Sequence, residues 1–305
     1  MKEKLRQLFG LTSKAEETAG KLPDLLAEVD RVASTMMQGF HGRKKKGVGE
    51  AFWQYSEFFD QVHERRKIDW RRSAREDRLY VKENEWEASE SVFLWRDNSP
   101  GMDWKGNSEK TKYTKKQTAE ILMLALAKLL TNVDERVAMI GTSGTLSRKI
   151  DGLVGELSAD LDTNPDAWKN LGQKGKPLPK DGFAVIFSDF FADPEEVQQA
   201  IGRLADRGVK GHLVQILDRE EIDFPFEGNI RFEDLNTDDT VRIPKAEAIR
   251  REYKQELHKK HKELSDMARR IGWGYTVHIT DEPLHDGLMP FYNGGQQMPN
   301  KEFKP

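Results

Sequence analysis

A short apolar run that stops abruptly at a polar turn limits what this chain can fold into more than any other feature. The run covers residues 92–95 (Val-Phe-Leu-Trp) of a predicted strand that ends at Arg96, and the turn covers residues 97–102 (Asp-Asn-Ser-Pro-Gly-Met). Apolar residues without alternation are typical of a strand that is covered on both faces, as in parallel sheets. The same pattern returns at residues 183–190, where Asp189 follows the apolar run. Both segments therefore predict buried strands that end at an aspartate.

From residue 91 onward, predicted strands and helices alternate along the chain. This order predicts an α/β fold: a doubly wound, mostly parallel sheet with helices on both faces. In such sheets, ligands bind beyond the carboxyl ends of the strands, near the point where the strand order reverses. The predicted strands are residues 92–96, 136–141, 183–190, 211–218 and 274–279, with a hairpin at 230–243, and the predicted helices are 115–130, 152–161, 194–207 and 246–271.

The chain before residue 91 has a different composition and predicts a separate organisation. Residues 1–38 read as a helical lead-in, because apolar residues recur at spacings of three and four from Leu22 to Met36. Residues 39–90 predict a small β-rich subdomain with basic and aromatic residues. Residues 91–285 form the predicted α/β domain, and residues 286–305 predict a flexible tail rich in Gly, Pro and Lys.

Composition excludes several classes of protein. The chain has 305 residues and no cysteine, which excludes disulfides, thiolate metal sites and cysteine nucleophiles. No apolar run is long enough to span a membrane, and the first residues lack the apolar core of a signal peptide. We therefore expect a cytoplasmic protein, for which peripheral association with a membrane stays open.

Two basic stretches raise the question of nucleic-acid binding. Residues 43–46 (Arg-Lys-Lys-Lys) lie between glycines and predict either a solvated loop or a site for an anion or an acidic partner. Residues 65–75 combine arginines with Trp70, but Asp69 and Glu76 interleave with them. This mixture favours internal salt bridges over a surface that binds nucleic acid. Binding of nucleic acid through the two stretches stays an alternative, and such binding should weaken steeply as salt increases.

Three motifs together resemble one bacterial family. They are Gly39-x-His41-Gly42-Arg43, Ile68-Asp69-Trp70-Arg71-x-Ser73-Ala74-Arg75, and Asp97-x-Ser99-x-Gly101-Met102. The arrangement resembles the bacterial domain-of-unknown-function family 58. The resemblance implies a von Willebrand factor A-like domain with an N-terminal β-rich insert. It also implies an interaction or adaptor protein, often encoded beside a MoxR-type AAA ATPase. The resemblance does not imply an enzymatic activity.

The resemblance further implies a metal-ion-dependent adhesion site. Von Willebrand A domains use Asp-x-Ser-x-Ser on a first loop, a Thr on a second loop and an Asp on a third. Asp97 and Ser99 match the first loop, and Asp189 stands where the third-loop Asp is expected. Gly101 replaces the second serine, so the implied Mg²⁺ site is degenerate. The candidates for the threonine are Thr142, Thr145 and Thr163.

The residues themselves allow two readings of these aspartates. Carboxylate and hydroxyl oxygens suit a hard ion such as Mg²⁺, whereas Asp at a strand end also caps turns and helix N-termini. If the loop docks a partner, Asn98, Gly101 and Met102 are the residues we expect to contact it.

Two functions follow from these readings. The first is a non-enzymatic protein-binding module that works with a MoxR-type AAA ATPase. The alternative is a metal-dependent hydrolase in which Asp97 and Asp189 hold a divalent ion. Neither a phosphate-binding Gly-rich loop followed by Lys-Ser/Thr nor a Gly-x-Ser-x-Gly elbow is present, and no general base is evident beyond the two acids.

Overall fold

The computed structural model describes residues 26–36, 52–57, 80–84, 91–142, 144–159, 166–173, 177–180, 182–235 and 240–292. The chain divides into two units, one made of Met1–Gly39 with Ser91–Pro305 and the other of Phe40–Glu90. The basic stretches at 43–46 and 65–75, the Ile68–Arg75 motif and Thr163 lie outside the described residues, as does most of the predicted tail.

Nine strands are present in the described part of the chain. In the unit Phe40–Glu90, two of them pair antiparallel, and the second lies within the segment at residues 79–87 that alternates polar and apolar residues. The strands are β1 Phe52–Glu57, β2 Tyr80–Asn84, β3 Ser91–Arg96, β4 Arg136–Met139, β5 Phe183–Ser188, β6 Lys210–Leu217, β7 Ile230–Glu233, β8 Thr240–Ile243 and β9 Gly274–Ile279.

Helices separate the strands of the larger unit. Within the described residues, none of them is both long and apolar enough to cross a membrane. They are α1 at residues 26–36, α2 Lys115–Thr131, α3 Ile150–Ala159, α4 Ala167–Asn170, α5 Pro194–Ala205, α6 Arg219–Asp223, α7 Ala246–Arg270 and α8 Met289–Tyr292, with 3₁₀ turns at Pro100–Asp103 and Leu284–Leu288.

Five strands form one sheet in the order β4-β3-β5-β6-β9, and every neighbouring pair is parallel. The chain leaves β3 toward β4, returns past β3 to β5, and then continues in the other direction. The strand order therefore reverses between β3 and β5. This sheet confirms the predicted α/β fold with a mostly parallel sheet flanked by helices. The predicted hairpin is also confirmed, because β7 and β8 pair antiparallel.

The two faces of the sheet bury different helices. Successive side chains of a strand point to opposite faces, so β3 contributes Val92 and Leu94 to one core and Phe93 and Trp95 to the other. The first core packs against α1, α2 and α3, and the second packs against α4, α5 and the end of α7. Burial on both faces explains why β3 and β5 read as continuous apolar runs.

Gly211 in β6 gives a test of this packing. A Cβ at Gly211 would lie 2.7 Å from both the Ala184 carbonyl oxygen and the Trp273 ring. We expect Gly211→Ala to lower the free energy of unfolding by about 1–3 kcal/mol, as overpacking does. Urea denaturation measures this change.

Gly155 supplies the matched control. It is exposed in α3, and a Cβ there would meet no atom within 4 Å. Gly155→Ala should raise the free energy of unfolding by about 0.5–1 kcal/mol, because alanine favours helix. Equal effects of the two substitutions would contradict the packing described for β6.

Candidate functional site

The structure places Asp97 and Asp189 at the same edge of the sheet. Asp97 directly follows β3 and Asp189 directly follows β5, and these two strands are parallel neighbours. The Asp97 N–H donates to the Phe187 carbonyl oxygen at 2.8 Å, which extends the ladder by one residue. The two carboxylates therefore meet where the strand order reverses. This is the position at which sheets of this class bind ligands.

Asp97 is fully buried and joins three segments of the chain. Its Oδ1 accepts from the Ser99 N–H at 2.8 Å. Its Oδ2 accepts from Trp168 Nε1 in α4 at 2.9 Å and from Ser188 Oγ at the end of β5 at 2.7 Å. Burial raises the pKa of Asp97, and the nearby charge of Asp189 raises it further, although the hydrogen bonds partly offset both effects.

Asp189 is paired with a buried lysine. Lys115 is the first residue of α2 and is 1% exposed, and its Nζ lies 2.7 Å from Asp189 Oδ2 and 2.6 Å from Glu221 Oε1 in α6. The other Asp189 oxygen accepts from the Phe191 N–H at 3.0 Å. Burial by itself would lower the pKa of Lys115, but the charges of Asp189 and Glu221 raise it above its ordinary value. The ammonium therefore stays charged inside the protein.

A capping box fixes where Lys115 stands. The Thr114 hydroxyl accepts from the Gln117 N–H, and the Gln117 side chain accepts from the Thr114 N–H. These bonds satisfy two backbone donors at the start of α2. The helix therefore begins at Lys115.

A third buried aspartate, Asp218, holds together the loops beside Asp97 and Asp189. Asp218 follows β6, and its Oδ2 accepts from the Gly106 N–H at 3.1 Å and from Thr280 Oγ1 at 2.8 Å. Its Oδ1 accepts from the Glu220 N–H at 2.9 Å. The backbone at residue 106 can come this close to Asp218 only as glycine, because a Cβ there would lie 2.2 Å from Asp218 Oδ1. The loops after β3, β6 and β9 are thereby held in one arrangement.

Side chains from β6, β9 and α7 anchor the backbone at the end of β5. Gln215 Nε2 donates to the Asp189 carbonyl oxygen at 2.8 Å, and the Tyr275 hydroxyl donates to Gln215 Oε1. His261 Nδ1 lies 2.9 Å from that hydroxyl. Burial, with a smaller effect of His258, lowers the pKa of His261 to about 4, so this imidazole is neutral at pH 7.

An aromatic cavity of about 300 Å³ lies next to Glu221. Phe224 adopts a left-handed backbone conformation with φ of 47°, and its ring packs 4.6 Å from that of Tyr253. Trp104 also lines the cavity, and its buried Nε1–H has no hydrogen-bond partner among the residues that the structure describes. Apolar surface therefore adjoins the charged network at this edge of the sheet.

The remaining predicted site residues lie in different environments. Ser99 and Gly101 are half-buried, whereas Asn98 is 6% exposed and Met102 is fully buried in the core. A partner at this loop would therefore meet Ser99 and Gly101 rather than the Met102 side chain. Contact with this loop stays a prediction. The Thr142 hydroxyl contacts the Glu156 carboxylate at 2.8 Å.

The donors at this edge, as arranged, do not fit a divalent ion. Every carboxylate oxygen of Asp97 and Asp189 already accepts a hydrogen bond, and Gly101 has no hydroxyl to offer. Mg²⁺ requires nearly octahedral oxygen ligands at about 2.0–2.1 Å. Among the described residues, no group of three or more His, Asp or Glu side chains could hold a metal. Mg²⁺ binding stays a prediction, and the present arrangement favours the lysine.

Sequence reasoning missed the residues whose side chains bond to Asp97, Asp189 or Lys115. They are Lys115, Trp168, Ser188, Gln215 and Glu221. One local signal was available, because Thr114 and Gln117 have the spacing of a capping box and mark the start of α2. The other contacts join residues that are far apart in the sequence, so no local pattern indicates them.

Comparison with known proteins identifies one matching family, whose function is unknown, and a few distantly similar solved structures. The family described as "Protein of unknown function DUF58" matches residues 59–263, about two thirds of the chain. No curated protein matches. Among solved structures, the conserved hypothetical protein BatB from Bacteroides thetaiotaomicron is 12% identical, with a TM-score of 0.34. The match covers 60% of this chain and 98% of that one.

A second solved structure is an aerotolerance-related membrane protein from Bacteroides fragilis with multiple mutations to serines. It is 14% identical with a TM-score of 0.40, and the match covers 67% of this chain and 98% of that chain. At TM-scores this low, neither structure bears on what this chain does.

The buried Asp97 gives a pH-dependent prediction. The pKa of Asp97 is raised above its ordinary value of 3.8 in the folded state. At pH values above 3.8, the folded protein therefore binds more protons at this residue than the unfolded chain does. The stability that Asp97 contributes is therefore present at low pH and is lost as pH rises through the folded pKa. Asp97→Asn lacks this titration. We expect its free energy of unfolding, relative to that of the wild type, to rise as the pH increases above the ordinary carboxyl value of 3.8.

Urea denaturation at several pH values measures this difference. Asp103→Asn, which changes an exposed carboxylate of the same loop, is the control and should show no such trend. A difference for Asp97→Asn that does not change with pH would contradict the raised pKa.

Proposed function

The chain belongs to the DUF58 family of proteins of unknown function, and from that premise we propose that it is a non-enzymatic module that binds another protein. The binding surface in this proposal is the carboxyl edge of the five-stranded sheet. The observation that carries the proposal is the use of the buried and half-buried acids at this edge. Asp97, Asp189, Asp218 and Glu221 all bond to other parts of the chain and hold its loops.

The von Willebrand A-like character of the larger unit is part of the same proposal. It is supported by the strand order, which reverses between β3 and β5, and by the Asp97-x-Ser99 motif at that point. The partner suggested by the family resemblance is a MoxR-type AAA ATPase. We propose that the two proteins meet in the cytoplasm.

Phe191 is the side chain at this edge best suited to contact a partner. It is half-buried and follows β5, and the ammonium groups of Lys115 and Lys260 lie 5.2 and 5.5 Å from its ring centre. Aromatic residues are enriched in protein interfaces, and a few residues of an interface carry most of its binding energy. Phe191 therefore serves as the apolar centre of the proposed surface.

Exposed acids also follow three strands of the sheet at this edge. Asp103, Asp193 and Asp223 follow β3, β5 and β6. Charge complementarity mainly sets the association rate and the choice of partner. We therefore propose that the partner presents basic side chains around an apolar one.

The hydrolase alternative has less support. A general base must have an oxygen free to take a proton, yet the oxygens of Asp97 and Asp189 are engaged with Ser99, Trp168, Ser188, Phe191 and Lys115. The exposed acids around the edge lie on the surface, where nothing excludes water.

Binding of the full chain to a purified MoxR-type AAA ATPase tests the proposal. Phe191→Ala should weaken the complex at least tenfold, which corresponds to about 1.4 kcal/mol. Asp103→Lys should slow association, and its effect should shrink as salt increases. Biolayer interferometry at two salt concentrations measures both effects.

Val133→Ala is the matched control. Val133 is 53% exposed and precedes β4, so it lies at the opposite edge of the sheet. This variant should bind like the wild type. If Phe191→Ala and Asp103→Lys both bind the ATPase like the wild type, the proposed surface is wrong. If the wild type does not bind the ATPase, the proposed partner is wrong.

A further inference from the structure

A fully buried ammonium is an unusual feature that calls for a specific reason. Lysine is almost never fully buried unless it is paired, and Lys115 is paired twice. Its two partners come from distant segments, since Asp189 follows β5 and Glu221 belongs to α6. The lysine itself begins α2. One cation thus joins three elements at the point where the strand order reverses.

The charges around Lys115 explain what the ammonium does. Asp97, Asp189 and Glu221 are three buried or half-buried carboxylates, and Asp97 and Asp189 repel each other. A carboxylate without a partner is costly to bury. Lys115 is the cation that contacts two of the three groups directly. This edge of the sheet therefore requires a positive charge.

A divalent metal ion does not fit in the place of the Lys115 ammonium. An ion at this place would need Asp189 as a ligand, but Asp189 Oδ2 already accepts from Lys115 Nζ at 2.7 Å. It would also need a second hydroxyl beside that of Ser99 on the loop after β3, and Gly101 supplies none. A divalent ion beside the ammonium would in addition be repelled by it.

We propose that Lys115 is a built-in cation that takes the place of a divalent metal ion at the carboxyl edge of the sheet. The edge is then assembled without metal. This role of Lys115 is independent of the proposed function, because it concerns how the site is neutralised and not what the site binds.

Manganese, a spectroscopic probe for Mg²⁺ sites, tests this inference on the full chain. The wild type should show no saturable Mn²⁺ binding by electron paramagnetic resonance, and its melting temperature should not change with Mn²⁺. Lys115→Ala should melt at a lower temperature, because Asp189 and Glu221 lose their partner. Mn²⁺ should then bind and restore part of the loss.

The rise in melting temperature that Mn²⁺ causes should be largest when Lys115→Ala is combined with Gly101→Ser, which adds a hydroxyl to the loop after β3. Gly101 does not have a positive φ, so a serine there causes no backbone strain of that kind. We expect a Kd for Mn²⁺ of roughly 0.1–1 mM, as in weak calcium modules. Ethylammonium should also raise the melting temperature of Lys115→Ala, because it replaces the missing group.

Lys110→Ala is the control, since Lys110 is exposed and lies on the loop before α2. It should leave both melting temperature and Mn²⁺ binding unchanged. Saturable Mn²⁺ binding by the wild type that Asp189→Asn abolishes would overturn the inference. So would a folded Lys115→Ala variant that neither Mn²⁺ nor ethylammonium stabilises. If Lys115→Ala does not fold, the wild-type titration still decides the question.

Discussion

The pairing of the buried Lys115 ammonium with Asp189 and Glu221 is the interaction on which the carboxyl edge of the sheet depends. Parallel pairing of β3 with β5 brings two aspartates together, and burial removes the water that would screen them. Removing one partner of a buried ion pair typically costs about 3–5 kcal/mol, because a charge is left uncompensated. The Lys115 ammonium thus allows β3 and β5 to end side by side with Asp97 and Asp189 buried.

The other buried acids extend this order from the strands to the loops. Asp97 joins the loop after β3 to α4 and to the end of β5, whereas Asp218 joins the loops after β3, β6 and β9. These bonds are internal, so the loops form a surface that exists before any partner arrives. A preformed surface loses little conformational freedom on binding, which suits a module that recognises another protein.

Local patterns predicted most elements of the larger unit. β9 was predicted at residues 274–279 and lies at Gly274–Ile279, and the hairpin of β7 and β8 follows from two short runs around a polar turn. α4 was not predicted, because four residues within a Pro- and Gly-rich loop show no helical periodicity. Its role depends on Trp168, which donates to an aspartate 71 residues earlier in the chain. A contact over that separation leaves no local signal.

By itself, the sequence determined the α/β architecture, the two aspartates at strand ends and the missing hydroxyl at Gly101. These properties follow from apolar periodicity and from residue identity, which are local. Only the tertiary structure decided that the cation at this edge is Lys115. A long side chain at the start of a helix can point to solvent or into the core, and its direction is set by the strands and loops packed against that helix. Asp189 and Glu221 lie 74 and 106 residues beyond Lys115, so only folding brings their charges to it.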